Sequence, residues 1–119
     1  MDNKAEMDKL ENLDDCPIKY SLSIIGGKWK LPIIWQLSQH EKLRYNELKR
    51  SVSGITNMML TQSLQELQEH SIVKRTQYME IPPRVEYSLT EAGRTLLPAL
   101  YTLAQWGKAQ MKREKAGGH

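Results

Sequence analysis

The chain has 119 residues, 39% of them hydrophobic and 26% charged, with a single cysteine. That length suits one domain with one core; one cysteine excludes an internal disulfide framework, and no apolar run approaches the roughly 20 residues a membrane helix needs. The net charge of +3 hides an asymmetry: residues 1–15 hold six carboxylates against two lysines, a net of −4, so residues 16–119 carry +7.

In chain order, residues 1–15 are acidic, polar and without apolar period. They read as a mobile arm and not as a secretory signal, which makes the cytoplasm the expected location. Pro17 suits the first position of a helix. Leu22, Ile25 and Ile18 share one face of it, and Gly26-Gly27 ends it. A second helix runs from about Lys28 to Ser38, with Trp29, Ile33 and Leu37 at the four-residue step of a buried face. Pro32 falls in its first turn, where backbone N–H groups lack partners anyway. After a turn at His40-Glu41-Lys42, Leu43-Arg44 allows a short strand.

Tyr45 to about Val52 forms a brief helix with Leu48 and Val52 inward, and Ser53-Gly54-Ile55 makes a turn. Thr56 then caps a helix from Asn57 to about His70, whose inner stripe is Leu60, Leu64 and Leu67. Val73 to Tyr78 and Val85 to Leu89 read as paired strands around a tip at Met79 to Arg84, stiffened by Pro82-Pro83. Alternation places Val85, Tyr87 and Leu89 inward and Glu86 and Ser88 outward. Thr90 caps a last helix from near Glu91, disturbed at Pro98 and reaching about Lys112; residues 113–119 are expected to fray. Two helices joined by a tight turn, followed by a hairpin, define the expected fold. It is mainly α (α+β): a winged helix-turn-helix over residues 16–112 with a two-stranded wing.

The outer face of the 57–70 helix carries Asn57, Met58, Thr61, Gln62 and Gln65, with Thr56 just before it. Asn and Gln can make two hydrogen bonds to adenine, Thr can meet a polar base edge or a thymine methyl, and Met58 adds apolar contact. Polar residues on a helix also simply face water; the helix-turn-helix setting favours the groove-facing reading. Arg44, Lys49 and Arg50 flank the preceding helix, and Lys74, Arg75 and Arg84 frame the hairpin. Together they form the expected phosphate-contacting set. Glu80 and Glu86 interrupt the positive wing, so some of these cations are expected only to be solvated. A body of +7 suits a polyanion as well as a solvated surface, and charge alone does not choose.

Cys16 stands where an N-cap would be. The helix dipole and Lys19 favour a thiolate there, whereas Asp14 and Asp15 oppose it, so a reactive and an ordinary thiol both remain open. The last helix is apolar over a wide arc: Leu97, Leu100, Tyr101, Leu103, Ala104, Trp106 and Met111. With Leu22 these are expected to form a homodimer interface, the alternative being a helix folded back on its own core. His40, His70 and His119 with Cys16 lack the spacing of zinc ligands. There is no glycine-rich phosphate loop and no Ser/His/Asp grouping, so neither metal, cofactor nor enzyme activity is expected.

Several motifs in order carry a family resemblance. Cys16-Pro17, Ile25-Gly26-Gly27-Lys28-Trp29, Arg44-Tyr45-Asn46-Glu47-Leu48, Ile55 to Thr61 and Pro82-Pro83-Arg84-Val85-Glu86-Tyr87-Ser88-Leu89-Thr90 resemble the HxlR family of winged-helix transcriptional regulators. The resemblance runs from about Cys16 to Trp106-Gly107. It implies a homodimer on operator DNA, the 56–70 helix in the major groove, the hairpin as wing, and the first and last helices as the dimer interface. It also implies a possible oxidant or electrophile sensor at Cys16, which matches the position used by some members. Tyr45 stands where Phe is usual, and Ile18-Lys19 follows Cys-Pro where redox members more often carry an acidic residue. The combined expectation is a sequence-specific regulator, a repressor on a palindromic operator, with double-stranded DNA and itself as partners and no membrane. The alternatives are a regulator with a small-molecule pocket near the dimer helices, and a winged-helix module that binds protein instead of DNA.

Overall fold

A computed structural model describes residues 15–117. The acidic arm, apart from Asp15, lies outside the described residues, as do residues 118 and 119. Helix α1 (Pro17–Ile25) starts at its proline as predicted, and Gly27, at φ 95°, supplies the turn that follows. Helix α2 (Lys30–Ser38) begins two residues later than periodicity suggests, because Trp29 takes the cap position. Pro32 still falls within the first turn. Strand β1 (Leu43–Arg44) leads directly into α3 (Tyr45–Ser51), where Glu47 accepts from the Arg44 backbone N–H at 2.8 Å. Helix α4 (Asn57–Glu69) has the predicted cap: the Met59 N–H donates to Thr56 Oγ1 at 3.1 Å.

Strands β2 (Val73–Tyr78) and β3 (Arg84–Leu89) pair antiparallel, with Val73 opposite Leu89 and Tyr78 opposite Arg84. β1 pairs with the other edge of β3, Leu43 opposite Tyr87. The sheet therefore has three strands in the order β1-β3-β2: the expected two-stranded wing, with the expected short strand at Leu43-Arg44 added to its β3 edge. β1 satisfies backbone groups that β3 would otherwise leave unpaired beside the core.

The last helix is two helices, α5 (Glu91–Thr95) and α6 (Leu97–Ala116). The break falls at Leu96, since Pro98 has no N–H for the carbonyl of Arg94. Thr90 caps α5 by accepting from the Gly93 N–H at 3.0 Å, and its hydroxyl donates to the Ser71 carbonyl. Gly93 packs so closely on the Ile72 carbonyl that a Cβ would collide with it. Residues 113–116, expected to fray, are helical; Arg113 and Lys115 suit the negative end of α6.

The core lies between α2, α3, α4 and the inner sheet face. Ile33, Ile34, Leu48, Leu60, Leu64 and Leu67 are at most 1% exposed. Leu100 departs from its expected place, and Glu86 keeps its expected face but not its exposure. Leu100, placed in the dimer surface by sequence, belongs to this core at 6% exposure. Glu86, placed outward by alternation, does leave the inner face but is buried on the outer one, beneath Lys42 and Arg84.

Leu60→Ala should therefore lower unfolding stability by about 2–5 kcal/mol in urea titration, as burial loss and a cavity add. Met58→Ala, one residue pair away on the same helix but 74% exposed, should stay within about 0.5 kcal/mol of the parent.

Candidate nucleic-acid interface

Burial of Leu60, Ser63, Leu64 and Leu67 turns the opposite face of α4 to solvent. All six predicted groove-facing residues, Thr56, Asn57, Met58, Thr61, Gln62 and Gln65, are exposed there. The face has two unlike borders. On one side Gln62 reaches Glu66 and lies beside Lys28 and Lys30 at the α1–α2 junction. On the other, Thr61 and Gln65 share a small depression with Tyr45, Gln68, Arg75 and Tyr87.

The predicted cations do not form one patch. Side chains alternate across a strand, so Lys74 and Arg75 leave on opposite sheet faces. Arg75, paired with Tyr87, stands on the α4 side, where its Nη1 donates to Gln77 Oε1 at 3.4 Å. Lys74, paired with Ser88, lies on the outer face in a depression with Lys42, Glu86 and Arg94, away from α4. Arg44 and Arg50, both exposed, line a cleft with Tyr45 and Arg84 between α3 and the wing. Lys49 is half-buried. Arg84 is engaged internally: it pairs with Glu80 at 3.4 Å and Glu86 at 3.6 Å, and its guanidinium sits 4.2 Å above the Tyr78 ring. It is thus a brace of the wing more than a free cation. Two groups were missed by sequence reasoning, the exposed Lys28 and the half-buried Tyr45. Lys28, 4.8 Å from the centre of the Trp29 ring, stands at the Gln62 border. The Tyr45 hydroxyl bonds to α4, and its only sequence signal is the phenol where Phe is usual.

Two carboxylates hold this frame. Glu66 hydrogen-bonds Lys30 at 3.0 Å, and that bond and the ammonium charge keep its carboxyl below the usual range. Burial pushes Glu86 up, but hydrogen bonds from Tyr78 and Lys42 and the charges of Lys42 and Arg84 outweigh it, so its carboxyl is also held down. Both groups bind protons more readily when unfolded. Their stabilisation is complete above the ordinary glutamate pKa of about 4.3 and is lost as pH falls through the lower folded values. Thermal melts across acid pH should show this loss, with a shallower slope for Glu66→Gln; parallel slopes would exclude the Lys30–Glu66 pair as a source.

The remaining predicted surface is apolar. On α1, Leu22 is exposed together with Ile18 and Tyr20, and none of its residues is buried. On α6, Tyr101, Leu103, Ala104, Trp106 and Met111 are exposed, whereas Leu97 packs against the core with Leu100. Tyr101 meets Trp35 edge to face at 5.4 Å. A cleft of about 640 Å³ opens between α2, the turn after α3 and α6, lined by Trp29, Leu31, Trp35, Val52, Leu100 and Leu103. Cys16 is a free, half-exposed thiol at the N-cap of α1 and makes no side-chain capping bond. Among the described residues no helix is long and apolar enough to cross a membrane, and no cluster of three potential metal ligands occurs.

A helix pair whose second member turns a carboxylate-free N-terminal face to solvent, beside a basic hairpin, is the architecture of a winged helix-turn-helix DNA-binding transcriptional regulator. The chain matches the model described as HxlR-like helix-turn-helix over residues 24–115 and belongs to that family. It is 48% identical over 99 residues to an uncharacterized HTH-type transcriptional regulator of Halalkalibacterium halodurans, covering 83% of this chain and 88% of that one. Among solved structures it resembles the redox regulator HypR in its oxidized form, at 45% identity and a TM-score of 0.74, over 79% of this chain and 96% of that one. It also resembles diamide-treated YodB from B. subtilis, at 30% identity and a TM-score of 0.67, over 79% and 93%.

Proposed function

We propose that the chain is a sequence-specific repressor that binds a palindromic operator as a homodimer. Helix α4 enters the major groove, and the β2–β3 hairpin lies along the flanking backbone. The observation that carries this is the outer face of α4: its polar side chains and Met58 are exposed, and Arg50, Arg44 and Arg75 stand on the wing side of it. The exposed apolar residues of α1 and α6 suit a second copy of the chain. A two-fold axis through them would present two α4 helices to successive major grooves, about 34–36 Å apart. Thr56, Asn57, Met58, Thr61, Gln62 and Gln65 are assigned to the groove. Arg44, Lys49, Arg50 and Arg75 are assigned to phosphate, with Lys74 and Arg84 as more distant members.

Gel-shift titrations check this directly. Gln62→Ala should weaken binding to a selected duplex more than to a scrambled one. Arg50→Ala should weaken both alike and lower the salt slope by about one unit. Loss of the same size for both variants on both duplexes would remove Gln62 from the reading set. Salt-independent or absent duplex binding by the parent would favour a protein-binding module.

We further propose that Cys16 makes the repressor responsive to oxidants. Support comes from its place before α1 and from the likeness to a redox regulator solved in an oxidized form. A peroxide would convert the thiol to a sulfenic acid, itself reduced to water. That acid would then condense with Cys16 of the second copy, or with a small thiol, releasing a second water. A second reading is favoured by the apolar cleft between α2 and α6, whose size suits a small-molecule effector. Peroxide treatment should lower operator affinity of the parent and leave Cys16→Ser unchanged. Equal affinity before and after complete thiol oxidation would end the thiol switch, and a metabolite-induced thermal shift that persists in Cys16→Ser would point to the cleft.

A further inference from the structure

We infer that Tyr45 is a positioning residue of the DNA-reading surface: its phenol fixes the Thr61 hydroxyl as a hydrogen-bond acceptor toward the groove. This rests on the DNA-binding reading above.

Tyr45 is the first residue of α3, and it packs against the core. Its Oη crosses to the start of α4, 3.0 Å from the Asn57 carbonyl oxygen and 3.5 Å from Asn57 Oδ1. The Thr61 Oγ1 lies 2.9 Å away on the next turn. A phenol has one proton, and the Asn57 carbonyl can only accept, as can Oδ1. The proton of Tyr45 therefore goes to Asn57. The contact with Thr61 then requires the proton of Thr61 itself, donated to Tyr45 Oη.

The consequence is chemical. A free threonine hydroxyl can donate or accept, and so meets nearly any polar base edge. With its proton held by Tyr45, Thr61 presents only lone pairs outward. In the major groove it can accept from the N6 amino group of adenine or the N4 amino group of cytosine. It cannot donate to thymine O4 or to guanine O6 or N7. Phe at position 45 would fill the same space, return that proton to Thr61, and make the contact indifferent to base.

The test uses binding-site selection from a random duplex library with the full-length parent, Tyr45→Phe and Thr61→Val. The parent should show one motif position that Thr61→Val loses and at which adenine or cytosine is preferred by about five-fold, the worth of one net hydrogen bond. Replacing that adenine by purine, or that cytosine by 2-pyrimidinone, removes the amino group alone. The parent should lose about five-fold in affinity and Tyr45→Phe less than about two-fold. Equal losses in both proteins, or a preference for guanine or thymine at that position, would overturn the inference while leaving DNA binding intact. So would a Tyr45→Phe protein that weakens on every duplex alike, because that marks a merely structural bond. Absence of any selected motif with the parent removes the DNA reading, and the inference falls with it.

Discussion

Three leucines set the rotation of α4 about its own axis. Leu60, Leu64 and Leu67 are at most 1% exposed, at the three- and four-residue steps of one helix stripe. Successive residues turn by about 100° around a helix, so burying this stripe leaves a single orientation for every other side chain. Rotating α4 by one residue would bury Thr61 and Gln65 without partners and expose leucine. Each full leucine burial stabilises by about 1.5–3 kcal/mol, more than any hydrogen bond on the outer face returns in water. The exposed polar face of α4 is thus a by-product of core packing. Its direction does not depend on the polar residues that compose it.

The charged frame is arranged by the sheet. A two-residue period puts Lys74, Thr76, Tyr78, Arg84 and Glu86 on one face and Arg75 with Tyr87 on the other. Glu86 then becomes the hub of the outer face, taking Lys42 and Arg84. Arg75 and Gln77 are left on the face that borders α4. A carboxylate within a basic wing looks unfavourable in a tally of charge. Here it orders neighbouring cations that would otherwise repel, and one consequence is that net charge overstates how many of them a phosphate can meet.

Much of this was legible in the sequence because it is local. The Thr56 and Thr90 caps, Pro17 at a helix start and the Leu60/Leu64/Leu67 stripe each depend on neighbours within a turn or two. What escaped depends on distant partners. Leu43-Arg44 is too short to declare its pairing, which is supplied by Tyr87 and Glu86 from more than 40 residues further along the chain. Glu86 was placed outward correctly, but its cover by Lys42 could not be read from alternation. Leu100 and Trp106 look alike in an apolar arc, and only the position of α2 separates the buried from the exposed one. The split of Lys74 from Arg75 was available from strand period alone; grouping both as one basic cluster hid it. Pro98 was recognised as a disturbance, yet whether it kinks or divides the helix depends on Leu96, which bonds back to Gly93.

The anchoring of α4 also constrains how any signal can reach DNA. Helix α1 has no buried residue, and its Ile18, Tyr20 and Leu22 are more than half exposed. It touches α4 and joins α2 through Gly26-Gly27, so it is the least secured of the helices that border the reading surface. A chemical change at Cys16, on its N-cap, acts on this helix first. Distorting α4 itself would require disturbing its three buried leucines, at a cost of several kcal/mol. Moving α1 against a second copy of the chain disturbs only surface that is already apolar and exposed. Under the proposed dimer and thiol switch, control would therefore act on the separation and angle of two intact α4 helices. Two half-sites in rigid B-form DNA are sensitive to that separation, because each helix must find its own groove at the same time.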